Sequence, residues 1–335
     1  AQSEVQAAMT ATAPCDVDAV VGFQVTTSRH GLYCLDHAVT ITPIDAGGNA
    51  VPTYAGTVIL STSTGRGSWL LQSGGGAFAD AVGDDGAATY VFSGGERNAT
   101  FLLRYRSGPQ TVDVDVHESA TGVRDTDAEG PILFSPSGFT MTSEPLAAPL
   151  AALPAFAASI SAGAGRAVHL TAYGQTPTDA TCGVIDGYAG ARSLSFWLTR
   201  ADPATGTVSA TVDGIAIAAG EAGAVAQNVV FTAGRAMVTL KYKDVGRVAL
   251  AAKDDTTGNP ELPGGIRGST GTFVSKPADF VVTNVRRTAD GAANPGATTA
   301  GGAVFVAAGR LFAATVTALD ADGTATPNFG RESVP

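Results

Sequence analysis

The stretch Thr40-Ile-Thr-Pro-Ile-Asp-Ala-Gly-Gly-Asn-Ala-Val-Pro-Thr-Tyr54 returns, without a gap, as Thr315-Val-Thr-Ala-Leu-Asp-Ala-Asp-Gly-Thr-Ala-Thr-Pro-Asn-Phe329. Thr40, Thr42, Asp45, Ala46, Gly48, Ala50 and Pro52 recur as Thr315, Thr317, Asp320, Ala321, Gly323, Ala325 and Pro327. Ile41/Val316, Ile44/Leu319 and Tyr54/Phe329 keep their character. In each copy a β-branched run alternates between two faces, and an Asp and a Gly then reverse the chain. A Pro two residues before an aromatic starts the next strand at a sheet edge. A strand, a turn and a strand used twice form a construction unit, and they predict an all-β, elongated chain of tandem immunoglobulin-like β-sandwich modules.

A second echo sets the module count. Ala99-Thr-Phe-Leu-Leu-Arg-Tyr105 followed by Val112-Asp-Val resembles Met237-Val-Thr-Leu-Lys-Tyr242 followed by Val248-Ala-Leu. The beginnings of two modules match each other, and so do the ends of two. Residues 1–16 read as a leader, 17–128 as a first sandwich, 129–275 as a second, and 276–335 as the front part of a third opening at Pro277. About seven strands fit the first module; in Thr111-Val-Asp-Val-Asp-Val116 the valines face a core and the aspartates face water. The strands of the third cannot bury a core by themselves, so they are expected to dock on the second module or to be completed by residues outside this chain. One short helical turn is expected within 145–160.

Composition narrows the function classes. At 335 residues the chain suits two or three sandwiches, and with 44% hydrophobic and 15% charged residues it has the means to bury real cores. A net charge of −10 without any basic stripe argues against nucleic acid and anionic membrane. The most apolar stretch, 146–160, is broken by Pro149 and Pro154 and is too short to span a bilayer. The polar, Ala-rich start without Met reads as that of an excised fragment, with any export signal outside it.

Candidate sites are few. Of three cysteines, Cys15 and Cys34 flank one strand-length segment and are either a disulfide stapling the incoming tail or two separate buried thiols; Cys182 is left over. A disulfide would place the chain in an oxidising compartment, as suits an exported protein. Calcium wants several oxygen ligands, and Asp125, Asp127 and Glu129 set three carboxylates at alternate positions where the first module hands over to the second. The alternative is a set of solvated linker charges. Asp320-Ala-Asp-Gly323 begins like a calcium loop but lacks the closing Glu and reads as a turn. Trp69, in a Gly/Ser-rich stretch, is the aromatic placed to stack on a glycan; its alternative, and the commoner use, is to anchor a core or loop. Trp197, Phe196 and Tyr188 read as core. None of the four histidines has metal-ligand spacing, and no nucleophile elbow or phosphate loop occurs, so no catalytic residues and no organic cofactor are assigned.

From about residue 165 the chain resembles the MshQ-like proteins, encoded with the genes of the MSHA type IV pilus, in their large domain of unknown function. The resemblance is carried by 180–197, 238–246, 253–260, 265–268, 274–283 and 315–330, and more loosely by Gly31-Leu-Tyr-Cys-Leu35. It implies an exported, cell-surface, non-enzymatic component with Ig-like modules, either structural and adhesive or an assembly factor docking on pilin-like subunits. The expected partners are pilin-like subunits or cell-surface glycans and receptors. A carbohydrate-active enzyme fragment is the remaining alternative.

Overall fold

In the computed structural model, residues 19–107, 110–126, 129–147, 156–255, 262, 265–299 and 301–332 are described. They form strands joined by turns, with one short 3₁₀ turn at Glu221–Gly223. Half of the stretch expected to hold a helical turn, 148–155, lies outside the described residues; its described end runs into the strand Ser159–Ser161.

Residues 52–54 and 327–329, expected to start strands, are turns, and the first quoted repeat supplies a central strand of the first sandwich and the turn after it. Its strand β3 (His37–Ile44) has a strict buried/half-buried alternation, because every second side chain of a strand points to the same face. It lies between β1 (Gly22–Thr27) and β8 (Ala99–Arg104), with β5 (Ser68–Ser73) beyond β8, in the order β1-β3-β8-β5. The facing sheet joins β4 (Thr57–Thr62), β6 (Ala77–Ala79), β7 (Ala88–Val91) and β10 (Val114–Glu118) in the order β10-β4-β7-β6. Between them Phe23, Val39, Ile41, Leu60, Tyr90, Phe101 and Leu103 are wholly buried. A small third sheet closes one end, with β11 (Ile132–Ser135) between β2 (His30–Leu32) and β9 (Gln110–Val112). Ile132 and Phe134 thus complete the first core. The segment after residue 128, assigned above to the second module, remains with the first as far as Ser135, because its alternating apolar residues fill the end of that core.

The second sandwich follows at once. One sheet has β12 (Ser137–Thr142), β14 (Arg166–Gly174), β20 (Arg235–Lys241), β17 (Thr211–Val212) and β18 (Ile215–Ala216) in that order, with β15 (Gly183–Val184) also on β14. The other runs β13 (Ser159–Ser161), β23 (Phe273–Lys276), β21 (Gly246–Asp254), β16 (Gly190–Asp202) and β19 (Ala226–Phe231), with β22 (Ile266–Ser269) on β21. The hairpin between β17 and β18 turns on Asp213 and Gly214, both at positive φ, as a two-residue turn requires. Trp197, Phe196 and Tyr188 are buried, as their alternation with apolar residues predicts.

The final pair, β24 (Asp279–Arg287) and β25 (Phe312–Leu319), reproduces the opening of the first sandwich. In the first, Phe23 pairs with Pro43, Val25 with Ile41 and Thr26 with Thr40. In the last, Phe280 pairs with Ala318, Val282 with Val316 and Thr283 with Thr315, which is the same register carried across the repeat. The turns match as well. Asp45 Oδ1 accepts from the N–H groups of Gly47 and Asn49, and Asp320 Oδ1 from those of Asp322 and Thr324. Gly48 and Gly323 both stand at positive φ, 76° and 79°, where a side chain would be strained. The edge-to-face contact Phe23–Tyr54 returns as Phe280–Phe329.

Candidate functional site

Two of the sequence-derived sites change meaning. Trp69 does not sit on a loop: it lies on β5, 1% exposed in the first core, and its Nε1–H donates to the Gly86 carbonyl at 3.0 Å. A ring closed in on both faces has no surface for a sugar. The Gly/Ser-rich surroundings suggested a loop, but Trp69-Leu-Leu71 is a strand whose alternate residues fill the sandwich. Cys34 is bonded to Cys182, with Cα atoms 5.7 Å apart, and therefore not to Cys15, which lies outside the described residues. Short sequence spacing favoured the local pair. The fold instead brings the end of β2 against the loop before β15, and the cysteine that seemed spare is the true partner.

Of the three carboxylates proposed for calcium, Asp125 and Glu129 lie among the described residues. Asp125 Oδ1 accepts from the Val116 N–H at 3.0 Å, fastening the strand end beside β10. Glu129 offers its backbone carbonyl to Arg29 Nε at 2.9 Å. Asp127 lies outside the described residues. Among those described, no group of three or more His, Cys, Asp or Glu side chains is placed to hold a metal ion.

What the fold does assemble is a seam between the first two sandwiches. Around the disulfide, Leu32, Leu35, Leu146 and Tyr173 form a buried apolar cluster against which Cys34, Cys182 and Val184 pack. A few residues away Ser28 and Ser269 share a hydrogen bond of 2.9 Å across the seam. Beside these contacts lies a cleft of about 580 Å³, with Arg29, His30, Thr199, Arg200, Arg267 and Ser269 on its walls. Arg267 on its wall belongs to a network of ion pairs. Arg267 reaches Glu221 at 2.7 Å and Asp255 at 3.1 Å, and Lys253 reaches the same two carboxylates at 3.1 and 2.7 Å. The Arg267 hydrogen bond leads the causes that hold the Glu221 carboxyl below its usual range.

Two histidines line this seam as neutral rings. Burial, reinforced by the Arg267 charge, lowers the His30 pKa to about 4. Burial likewise lowers that of His37 to about 4, against the opposing effect of its hydrogen bond to the Ser28 carbonyl. His37 Nε2 lies 3.0 Å from that carbonyl and 2.7 Å from Thr27 Oγ1. A carbonyl only accepts, so Nε2 carries the proton. These rings are built to stay uncharged and to pack; His37 lies edge-on to Phe134, ring centres 5.4 Å apart.

A second junction ties the repeated turn to the second sandwich. The Ala321 N–H donates to the Ala162 carbonyl at 2.8 Å, and the Asn328 N–H to Oδ1 of the fully buried Asp244 at 2.9 Å. Lys243 and Lys241 approach Asp322 at 2.8 and 2.9 Å, and they push its carboxyl down to about 2, Lys243 contributing most. The turn after β25 is thus hydrogen-bonded to the second sandwich, while most side chains of β24 and β25 are exposed. No sequence signal marked Asp244 as a junction residue, because its partner lies 84 positions along the chain.

Comparison with known families agrees with this architecture. Residues 120–264 match the "Domain of unknown function (DUF6701), first Ig-like domain", and residues 276–335 match "DUF6701, second domain". The chain carries DUF6701 Ig-like domains, and the two matches together take in more than half of it. Curated protein sequences give no match. Among solved structures, the D0-D1 domain of Intimin is similar over 76% of this chain and 98% of its own, at 14% identity and a TM-score of 0.28. The Yersinia pseudotuberculosis adhesin InvE follows, with 80% and 68% covered, 12% identity and a TM-score of 0.25. A beta-glycosidase from Bacteroides vulgatus matches over 70% of this chain and 23% of its own, at 12% identity and a TM-score of 0.20. Proteins as different as adhesins and a glycosidase share this low likeness, and it bears on neither activity nor partner.

Proposed function

We propose that this chain is a structural and adhesive part of a bacterial cell-surface protein, non-catalytic and exported, whose Ig-like modules carry a contact surface on a fixed spacer. The observation that carries the reading is the fastening of the first two sandwiches to one another. A disulfide between residues 148 apart, an apolar cluster around it and a hydrogen bond across the seam resist relative movement of the two modules. A disulfide used this way suits an oxidising, extracellular setting. The finer reading, a component of an MSHA-like type IV pilus system that meets pilin-like subunits or surface glycans and receptors, rests on the sequence resemblance.

The test compares cells with and without the full-length parent for filament number and for attachment to host or abiotic surfaces. Unchanged filaments with lost attachment support the adhesive role. Loss of filaments transfers the protein to assembly. Unchanged filaments and unchanged attachment, together with turnover of a glycan panel by the purified chain, replace both with an enzyme.

A further inference from the structure

The cleft between the first two sandwiches holds guanidinium groups that the fold leaves without a carboxylate. Arg267 is balanced there, because with Lys253 it shares the carboxylates of Glu221 and Asp255. Arg29 and Arg200 have neutral partners instead. Arg29 donates through Nε to the Glu129 carbonyl, and a Cβ on Gly130 would stand 2.9 Å from its Nη2, so the guanidinium lies along the backbone of 129–130. Arg200 donates to the Val208 carbonyl and, at 3.4 Å, to the Tyr242 hydroxyl. Among the described residues neither forms an ion pair with a carboxylate. His30 lies on the same walls as a neutral ring, and its buried Nδ1 has no hydrogen-bond partner among the described residues. Thr111 on β9 and Thr272 just before β23 add exposed hydroxyls. The second sandwich contributes the outer face of a sheet. Thr199, Ala249 and Ala251 line the cleft and alternate along β16 and β21 with Leu198, Leu250 and Ala252 of the core. Both are interior strands, in the order β23-β21-β16-β19. This face therefore offers side chains and no free sheet edge, and its small residues leave room above it.

We propose that this cleft is the contact site of the adhesive reading above and takes a saccharide bearing carboxylate groups. Arg29 and Arg200 meet the carboxylates, and Thr111, Thr272 and His30 meet the hydroxyls. The assignment rests on that reading and gives it a site. The volume, about 580 Å³, is that of a small-ligand pocket and accommodates a disaccharide. A guanidinium presents a planar fork of donors that matches a carboxylate, and one without an internal ion pair is ready to do so. The walls also carry the Glu129 and Glu221 carboxylates, which accept from hydroxyl donors and repel a bare anion. An extended peptide is read through its main chain at a sheet edge, which this face does not provide. The His30 ring is neutral above about pH 4, so capture near neutrality does not depend on its charge. Because the contacts come from both sandwiches, the Cys34–Cys182 bond that holds the modules together also holds the site together.

The test is calorimetric titration of the whole 335-residue chain with digalacturonate and with sialyllactose. Each is run beside its uncharged counterpart, the digalacturonate methyl ester and lactose, and the dipeptide aspartyl-aspartate serves as the peptide probe. At least one acidic saccharide is expected to bind, and its uncharged counterpart about tenfold or more weakly. Arg29→Gln and Arg200→Gln each bring the acidic saccharide down towards the uncharged one. Ala249→Leu, which fills the room above the sheet face, abolishes binding. Arg29 is exposed, so the melting of Arg29→Gln is unaltered and its loss of affinity is a loss at the site. The proposal is overturned if neither acidic saccharide binds, if the uncharged counterparts bind equally, or if Arg29→Gln leaves the affinity unchanged. It is also overturned if aspartyl-aspartate binds as tightly, which makes an acidic peptide the occupant. The two readings fail separately. Attachment lost without the parent protein, with no saccharide bound, overturns the cleft assignment alone; saccharide bound with attachment unaffected overturns the adhesive reading alone.

Discussion

At the level of single residues the first core is held by aromatics whose polar atoms are satisfied inside it, and Trp69 is the clearest case. Trp69→Ala removes the largest side chain of that core together with its hydrogen bond to Gly86. It should cost about 3–5 kcal/mol in chemical denaturation of the first module, with no change in any glycan binding the protein has. The two seam histidines make a prediction of the opposite kind. Their folded pKa values, about 4, lie below the ordinary 6.5, so protons bind the unfolded chain more readily. Stability is therefore fully present above pH 6.5 and is lost progressively as pH falls towards 4. For the buried His37 the loss is on the order of 1–3 kcal/mol. Urea titrations at pH 7 and pH 4 measure it, and His37→Gln should flatten the difference. The sequence showed the four histidines only as lacking metal spacing; that two of them meet at a seam depends on contacts far apart in the chain.

At the level of elements, much was legible because a strand announces itself locally. The alternation in His37–Ile44 and the Asp-Gly turns of the repeated unit act over a few residues and appear where expected, whereas the strand expected over 111–116 breaks at Asp113 into β9 and β10, which join different sheets. Elements whose place depends on distant partners were harder to read. The strand Ile132–Ser135 looks like the start of the second module until β2 and β9 are seen on either side of it. Ser68–Ser73 hides in a Gly- and Ser-rich stretch because its pairing with β8 lies some thirty residues ahead. The docked turn of the third module gives a prediction at this level. Asp244→Ala leaves the Asn328 N–H buried without an acceptor, a defect of about 1–3 kcal/mol. Hydrogen exchange over 324–329 should accelerate while the first sandwich is untouched. The Lys241, Lys243 and Asp322 cluster adds a pH signature. Because the Asp322 carboxyl is pushed down to about 2 from the usual value near 3.8, its contribution is intact above that usual value. It disappears as pH falls through 2, which chemical shifts of the two lysines would report.

Across the whole molecule, the most consequential misreading concerned the cysteines. Spacing suggested a short loop within one module, and the fold uses the bond to fasten two modules, since Cys34 and Cys182 stand 148 positions apart in the chain. Replacing both by serine should separate a joint thermal transition of the two sandwiches into two, visible by calorimetry, at a cost of about 2–5 kcal/mol. That bond also decides how the protein answers a pull. A tether drawn at both ends of the chain passes through the sulfur atoms and bypasses everything between them, so β3 to β14 are slack, while β1 and β2, ahead of Cys34, carry the tension. In a single-molecule stretching experiment the oxidised chain should fall short of its reduced length by about 500 Å, the reach of the enclosed residues at roughly 3.4 Å each. Under shear β3 to β14 would be shielded, and the load would fall on β1, β2 and the strands beyond Cys182.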